Sequence, residues 1–202
     1  MSEKVKFGLS NVHIAPRTEA AGGAVTYGSP IAVPGAVKAS ITRNSDQNIF
    51  YADNKAYFVA NRKSSQEIEL ELADLAKDIL TGYLGYIKSK SGSLLETNMT
   101  VTPAFALLFQ IETDEKARKI CYYNCTATES DEEYDTQEES IDPTTSKIAT
   151  TCTGEKVGDF AVFREIAFSG DTNYDDFFKT VTVPTSAEAS KMSMDNPDKA
   201  VI

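Results

Sequence analysis

The chain has 202 residues and a net charge of −10, from 30 acidic residues, 20 basic residues and one histidine. So negative a surface repels phosphate, which disfavours nucleic acid and anionic membranes as binding partners. A chain of this length can bury a core as one domain without a disulfide or metal. The N-terminus lacks the apolar run of a signal peptide, and no stretch reaches the ~20 apolar residues of a membrane span. We therefore expect a protein that is made and kept in a cytoplasm, or released from it by lysis.

The first third of the chain predicts short strands separated by turns. Apolar pieces at 5–9 and 12–14 are followed by a glycine- and proline-rich stretch, 19–35, which indicates a loop with one edge strand. Residues 36–44 then alternate apolar and polar side chains, which predicts a half-buried strand. Val37, Ala39 and Ile41 are expected on its buried face.

Residues 44–65 have polar turn formers at both ends and aromatic residues in the middle. Long loops are usually functional or disordered, and aromatic side chains argue against disorder and for docking to a partner. We predict a long docking loop here. A plain hairpin that packs on its own domain is the alternative.

Residues 66–72, QEIELEL, alternate glutamate with apolar residues. A strand sends successive side chains to opposite faces, so one face carries Ile68 and Leu70 toward a core and the other carries only acids. We call Glu67, Glu69 and Glu71 the carboxylate row. In an arbitrary protein such a row faces solvent, because polar-out alternation is the norm.

The rest of the chain predicts one helix and further strands. Apolar residues at helical spacing predict a helix over 73–82, with Gly82 or Gly85 at its C-terminal end. Downstream we expect a hairpin turning at Ser91 and Gly92, an acidic solvated loop over 129–139, and a polar extension over 185–202. A final strand should follow the aromatic cluster of Tyr174, Phe177 and Phe178. The remaining predicted strands are 104–112, its antiparallel partner 117–128, 145–153 and 160–168.

This pattern predicts a mainly β fold, a β-sandwich or partial barrel with one flanking α-helix. The chain has three cysteines, so at least one thiol stays free. In one strand, Cys121 and Cys125 would lie about 13 Å apart, beyond disulfide reach. We expect Cys121, Cys125 and Cys152 to be small buried hydrophobic residues.

Residues for catalysis are scarce. His13 is the one histidine, and no nucleophile elbow, phosphate-binding loop or dinucleotide fingerprint accompanies it. Asp171, Asn173 and Asp175 have the spacing that begins a calcium loop, but Asp176 and Thr182 stand where that loop needs glycine and glutamate. We predict no enzyme activity, no metal and no cofactor.

Six phrases, taken in order, resemble the major tail tube proteins of long-tailed, non-contractile phages (siphoviruses), specifically the phi-thirteen type. Together they cover nearly the whole chain up to Pro184. They are GLSNVHIAP at 8–16, TYGSPIAVPGAV at 26–37, FYADNKAY at 50–57, PAFALLFQIETD at 103–114, YYNCTATESDEEYDTQEESIDP at 122–143 and YDDFFKTVTVP at 174–184.

The resemblance implies a structural virion protein with a tail tube domain over 1–184. Such proteins assemble in the host bacterial cytoplasm into stacked hexameric rings, whose sheets join into a barrel around a channel for DNA ejection. The implied partners are further copies of the chain, a tape-measure protein inside the tube, and tail terminator and distal tail proteins at its ends. DNA passes without being bound, and no membrane is involved.

The resemblance also implies roles for two groups of residues. A wall of carboxylates would repel DNA phosphates and stay hydrated, and Lys38 would pair with Glu69 or Glu71 across strands. The positions expected to face the channel are Glu67, Glu69, Glu71, Lys38, Ser40 and Thr42. The positions expected to contact a neighbouring subunit or ring are Ile49, Phe50, Tyr51, Asn54, Tyr57 and Phe58.

A different class of function stays open on the residues alone. A stand-alone β-sandwich that binds carbohydrate or a receptor, on a phage tail or a cell surface, would also expose aromatic side chains. Such a module would be monomeric or trimeric, whereas a tube protein forms rings or tubes at high concentration.

Overall fold

One large antiparallel sheet organises the computed structural model, which describes residues 5–52, 54–97, 102–113, 116–129, 144–158, 160–183 and 185. The described part is mainly β and the sheet is not closed into a barrel, which confirms the predicted fold class. The elements are β1 (Lys6–Glu19), β2 (Val25–Tyr27), β3 (Ile31–Ala32), β4 (Ala36–Ala52), β5 (Lys55–Leu72), α1 (Lys77–Tyr83), β6 (Ile87–Lys88), β7 (Leu94–Leu95), β8 (Phe105–Thr113), β9 (Arg118–Glu129), β10 (Ser146–Cys152), β11 (Glu155–Val157), β12 (Phe160–Val162) and β13 (Arg164–Ala167).

The strand order of the large sheet is β2-β1-β8-β9-β10-β5-β4, with β3 also paired to β1 and β13 to β9. Strand β9 changes partner along its length. On the edge away from β8, its first half pairs with β13, and its second half pairs with β10 from Cys125 onward. β9 therefore joins two halves of the sheet, which can curl toward each other.

The curl encloses the main core. Leu70 of β5 is 2% exposed and belongs to the same apolar cluster as Leu107 of β8 and Ile14 of β1. The short helix α1 adds Ile79 and Tyr83 to this cluster. Two sheet halves packed face to face on apolar side chains make a β-sandwich.

A second core lies on the outer face of the β1-β8-β9 half. There Leu108 and Tyr123 are covered by Phe177 and Val181 of the segment that follows β13. Strand β8 is consequently buried on both faces, which explains why its sequence, FALLF, is a continuous apolar run rather than an alternating one.

The helix and the N-terminal strand differ from their predicted bounds. Residues 73–76 are not helical, so α1 is shorter than 73–82 and begins at Lys77. It contains Gly82 and ends at Tyr83, with Leu84 as its C-cap. Gly85 follows with a φ of 84°, a left-handed conformation common after a helix. The two apolar pieces at the N-terminus form one strand, β1, which has register shifts near Gly8 and Asn11.

Two strand predictions are wrong in detail. Residues 160–168 form two short strands, because β12 pairs with β11 whereas β13 pairs with β9. Within the described residues after Ala167 the chain makes turns, and the expected final strand is absent. The hairpin at Ser91 and Gly92 is confirmed as β6 and β7. The acidic segment lies outside the described residues from position 130 onward, as does the extension except for residue 185.

The cysteines are buried as expected, but two of them are bonded. Cys125 and Cys152 lie directly opposite each other in neighbouring strands and form a disulfide, while Cys121 is a buried free thiol. Spacing within one strand excludes a bond between Cys121 and Cys125, but it says nothing about which residue faces Cys125 across the sheet.

Candidate functional site

The outward face of strands β4, β5, β10 and β9 is uncovered and polar. Inward side chains on β5, such as Ile68 at 1% exposure, are buried, whereas Glu67 and Glu69 are exposed. No described element packs over these acids. We call this surface the polar sheet face; its residues are Lys38, Ser40, Thr42, Glu67, Glu69, Glu71, Thr126, Thr128, Lys147, Ala149 and Thr151.

Cross-strand register sets the charge of this face. Glu71 lies between Lys38 on β4 and Lys147 on β10. The expected partner of Lys38 is thus Glu71 rather than Glu69, since residues directly opposite are the nearest cross-strand neighbours. Glu67 and Glu69 have only uncharged residues directly opposite, so the negative potential is concentrated at these two positions.

Two of the acids are held by neighbouring polar groups. Thr145 Oγ1 donates a hydrogen bond of 2.6 Å to Glu71 Oε1. Asn44 Nδ2 donates one of 2.8 Å to Glu67 Oε1. A depression on this face is lined by Glu67, Glu69, Ser40, Thr42 and Thr151 among others. The face is therefore ordered and hydrophilic.

Strands β4 and β5 extend beyond the sheet as a two-stranded ribbon. Strand β10 ends opposite Gln66, and from Asn44 and Ser65 outward β4 and β5 pair with each other and with no other described strand. We call residues 44–65 the hairpin arm. The predicted loop is wrong in conformation: the pairing continues to Ala52 and Lys55, giving a reach of roughly 30 Å at ~3.3 Å per residue.

The arm exposes large aromatic side chains near its turn. Tyr51 is 64% exposed and Tyr57 is 76% exposed, while Ile49 is half-buried. Asn54 lies at the turn with a φ of 57°. Phe50 and Phe58 are opposite each other in the backbone register, and their side chains lie outside the described part of the structure. An isolated two-stranded ribbon is marginally stable in water, so a partner that covered this arm would stabilise it.

The polar half of the sheet has two open edges. Strand β4 is the last strand of the sheet, and its outer edge has no partner among the described residues. On β9, pairing with β8 stops at Cys125, so residues 126–129 have no partner, among the residues that the structure describes, on the side away from β10. Open edges of this kind are templates for pairing with another chain.

The prediction that Val37 lies on the buried face of β4 is wrong. Val37 is 52% exposed because the register shifts between Ala36 and Lys38, leaving it without a partner on β5. Ala39 and Ile41 pack against the main core as expected.

A buried ion pair, which no local sequence signal indicates, ties β1 to β11. Arg17 binds the Glu155 carboxylate through Nε and Nη2. Tyr27 donates to the same carboxylate at 3.0 Å, and its hydroxyl accepts a bond from the Asn124 amide at 3.1 Å. Burial raises the pKa of Glu155, but these hydrogen bonds and the Arg17 charge outweigh it and hold that pKa below its ordinary value. Burial, together with the nearby carboxylate, raises the pKa of Tyr27.

The histidine and the residues of the calcium-loop-like segment make contacts that stabilise the fold. The His13 ring stacks on Phe178 at 4.9 Å, and its Nδ1 is 2.8 Å from the carbonyl oxygen of Asn11. Asp171 accepts a bond from the Phe168 amide, and Asn173 donates to Glu165. Across the described residues, His, Cys, Asp and Glu side chains form no group of three that could hold a metal ion.

Open sheet edges, a projecting arm and an uncovered polar face are typical of a protein that assembles with other chains. The family model described as phage tail tube protein matches residues 29–186, well over half of the 202-residue chain. The chain therefore belongs to the phage tail tube protein family: a structural protein of the virion that self-assembles into the tail tube. A comparison with curated proteins finds no match. Within the described residues, no helix has the length and apolar character needed to cross a membrane.

Proposed function

We propose that this chain is the major tail tube protein of a siphovirus of the phi-thirteen type, forming stacked hexameric rings around a channel for DNA ejection. The observation that carries the proposal is the four-stranded polar half of the sheet, β4-β5-β10-β9, with an open edge at each side. Edge-to-edge pairing of identical chains around an axis closes a ring and removes both open edges.

In this arrangement the open edge of β4 in one copy pairs with the edge of β9 at 126–129 in the next copy. The polar sheet face then lines the channel. Its threonines and serine keep the wall hydrated, and Glu67 and Glu69 repel DNA phosphates. Lys38 and Lys147 flank Glu71, so the wall is acidic in two of its three cross-strand rows and carries a net positive charge in the third.

The hairpin arm supplies the contacts that extend beyond one subunit. Its reach of roughly 30 Å exceeds the width of a two-layer sandwich, whose sheets pack ~10 Å apart. Tyr51 and Tyr57 are suitable anchors, because tyrosine buries a large apolar area on binding at little entropic cost. The arm would be covered by a neighbouring subunit or by the next ring.

The remaining parts of the proposal follow from this role. The tube encloses a tape-measure protein and is capped by terminator and distal tail proteins. Assembly takes place in the host bacterial cytoplasm, DNA passes without being bound, and the chain performs no catalysis.

Electron microscopy of the concentrated, purified protein tests the proposal. We expect rings or tubes with sixfold symmetry, whose inner wall contains β4, β5, β10 and the second half of β9. A chain that remains monomeric or trimeric at high concentration would instead support a stand-alone binding module. Tubes with the polar sheet face outside would overturn the channel assignment while leaving the tube role intact.

A further inference from the structure

The disulfide between Cys125 and Cys152 lies where strand β9 changes partner. The two residues are the last pair of the β9–β10 ladder, with Cα atoms 4.1 Å apart and a sequence separation of 27. Both side chains have no exposed surface. On the N-terminal side of Cys125, at residues 119–122, β9 pairs with β13 instead of β10. The disulfide therefore joins β9 and β10 at the point where the two sheet halves separate, which we call the fork.

The same fork is held by hydrogen bonds that do not involve sulfur. Asn124 Nδ2 donates to Thr153 Oγ1 at 3.0 Å and to the Gly154 carbonyl at 3.1 Å. The Thr153 amide donates to the Asn124 carbonyl at 3.1 Å. On the other side, the Asn124 amide is bonded to the Tyr27 hydroxyl. The register that brings the two cysteines together is therefore set without the covalent bond.

The reduced side chains also fit this site. Cys125 Sγ lies 3.5 Å from the carbonyl oxygen of Tyr122, within reach of a weak S–H···O bond when the sulfur carries a proton. Buried thiols behave as small hydrophobic groups, and both cysteines belong to the main core cluster. The chain can thus fold with two thiols and acquire the bond afterwards.

The third cysteine is kept apart from this pair. Cys121 belongs to the second core, on the opposite face of β9 from Cys125. It is 2% exposed, and burial raises its pKa well above the ordinary value, so it stays a protonated and weakly nucleophilic thiol. Of the three pairings that three cysteines allow, only one is reachable without unfolding.

We propose that Cys125 and Cys152 form a redox-dependent lock, a dithiol while the tube assembles in a reducing cytoplasm and a disulfide in the released particle. Oxidation by a small disulfide such as oxidised glutathione balances the reaction. When the end of the β9–β10 ladder opens locally, one cysteine loses its proton to solvent and attacks the reagent, releasing one glutathione thiolate. The second cysteine, likewise deprotonated, then displaces the other glutathione, leaving the protein bridge and two reduced glutathione molecules. The bond adds a covalent tie between two strands whose pairing the fold has already set. Its timing depends on the proposed cytoplasmic assembly, whereas its stabilising effect does not.

The test compares full-length protein purified with a reductant and the same protein after treatment with oxidised glutathione. Both forms should show the same circular dichroism spectrum and assemble alike. Mass spectrometry should find the oxidised form lighter by two hydrogen atoms, with Cys125 and Cys152 in one linked peptide and Cys121 free. Oxidation should raise the guanidinium denaturation midpoint by roughly 0.5 M. C121S should keep that shift, and C125S/C152S should lose it.

Trapping with an alkylating reagent tests the timing. Free thiols at all three positions in freshly lysed host cells, and a bridge in purified particles, would support the proposal. A bridge already complete at lysis would overturn the timing and leave the tube role untouched. A reduced chain that fails to fold, an equal midpoint for both forms, or a bridge containing Cys121 would overturn the lock itself.

Discussion

Arg17 donates two hydrogen bonds to the Glu155 carboxylate, from Nε at 2.9 Å and from Nη2 at 3.0 Å. The side chains are 13% and 7% exposed, so this is a largely buried, two-pronged ion pair. It connects strands that are 138 residues apart in sequence and supports the fork at Asn124 through Tyr27. Removing one partner leaves the other charge buried and unpaired.

We predict that R17A lowers the free energy of unfolding by about 3 kcal/mol, the typical result of breaking a buried pair. Denaturant titration at neutral pH measures this. The matched control is K179A, which breaks the ion pair with Asp176 where both side chains are more than 70% exposed, at 72% and 71%. That control should leave stability unchanged, because exposed pairs contribute little. Similar losses in both variants would contradict the assigned importance of burial.

The same pair predicts a pH dependence. Glu155 has a folded-state pKa below the ordinary value of 4.5, so the unfolded chain takes up this proton first as pH falls. The stabilisation is fully present above about pH 4.5 and is lost as pH drops through the folded pKa. We expect the stability difference between wild type and E155Q to shrink between neutral pH and acid conditions. A difference that stays constant over that range would refute the linkage.

The carboxylate row yields a prediction about DNA passage. Changing Glu67, Glu69 and Glu71 together to lysine should permit tube formation but impair DNA delivery, because ammonium groups hold phosphates that carboxylates repel. Infectivity and DNA release from particles carrying the variant measure this. Normal delivery would show that the row does not face the channel.

Two further variants separate charge from folding effects in the row. Lysine at position 71 would stand between Lys38 and Lys147, and like charges directly opposite destabilise a sheet. Changing only Glu67 and Glu69 to lysine avoids that arrangement and should still impair delivery. Changing all three acids to glutamine keeps the wall polar without attracting phosphate, so delivery should be much less affected.

The hairpin arm is expected to be needed for polymerisation and not for folding. Deleting 48–58 removes its distal part. A second variant shortens the arm while keeping the remaining strand pairs in register. Gln47 and Asn61 are direct partners, so residues 48–60 can be exchanged for an Asn-Gly turn that closes a two-residue hairpin. We predict a folded monomer by circular dichroism and sedimentation. Tubes formed by this variant would rule out the arm as an assembly element.

A less severe change tests the arm's anchors. Y51A/Y57A keeps the length and pairing of the arm while removing its two exposed phenol rings. We expect it to raise the protein concentration needed for assembly without lowering monomer stability. Unchanged assembly would mean that the contacts lie elsewhere on the arm.

The segment after β13 should contribute to stability through its apolar residues. Phe177 is 5% exposed and covers the second core, so F177A should cost about 3 kcal/mol in unfolding free energy. Phe160, which is 50% exposed, provides the control, and F160A should change stability by less than about 1 kcal/mol. Equal losses of unfolding free energy in the two variants would show that packing of this segment on the second core does not stabilise the fold.

Part of this fold can be predicted from the local pattern of apolar and polar residues. The period-two alternation of 66–72 sends Glu67 and Ile68 to opposite faces, and that depends only on backbone geometry. Other assignments failed where tertiary pairing overrode the pattern. The polar ends of 44–65 resemble turns and predict a loop, yet β4 and β5 continue to pair through them.

The amino-acid sequence by itself determined the β-rich class, the two-faced strand that carries the acids, and the scarcity of catalytic groups, because composition and side-chain alternation are local properties. Tertiary structure alone decided that Lys38 and Lys147 flank Glu71, that Cys125 faces Cys152, and that Arg17 meets Glu155. Each of these depends on which strands become neighbours and in which register. That choice is made by burying two apolar faces across distant parts of the chain, and no short window of sequence contains it.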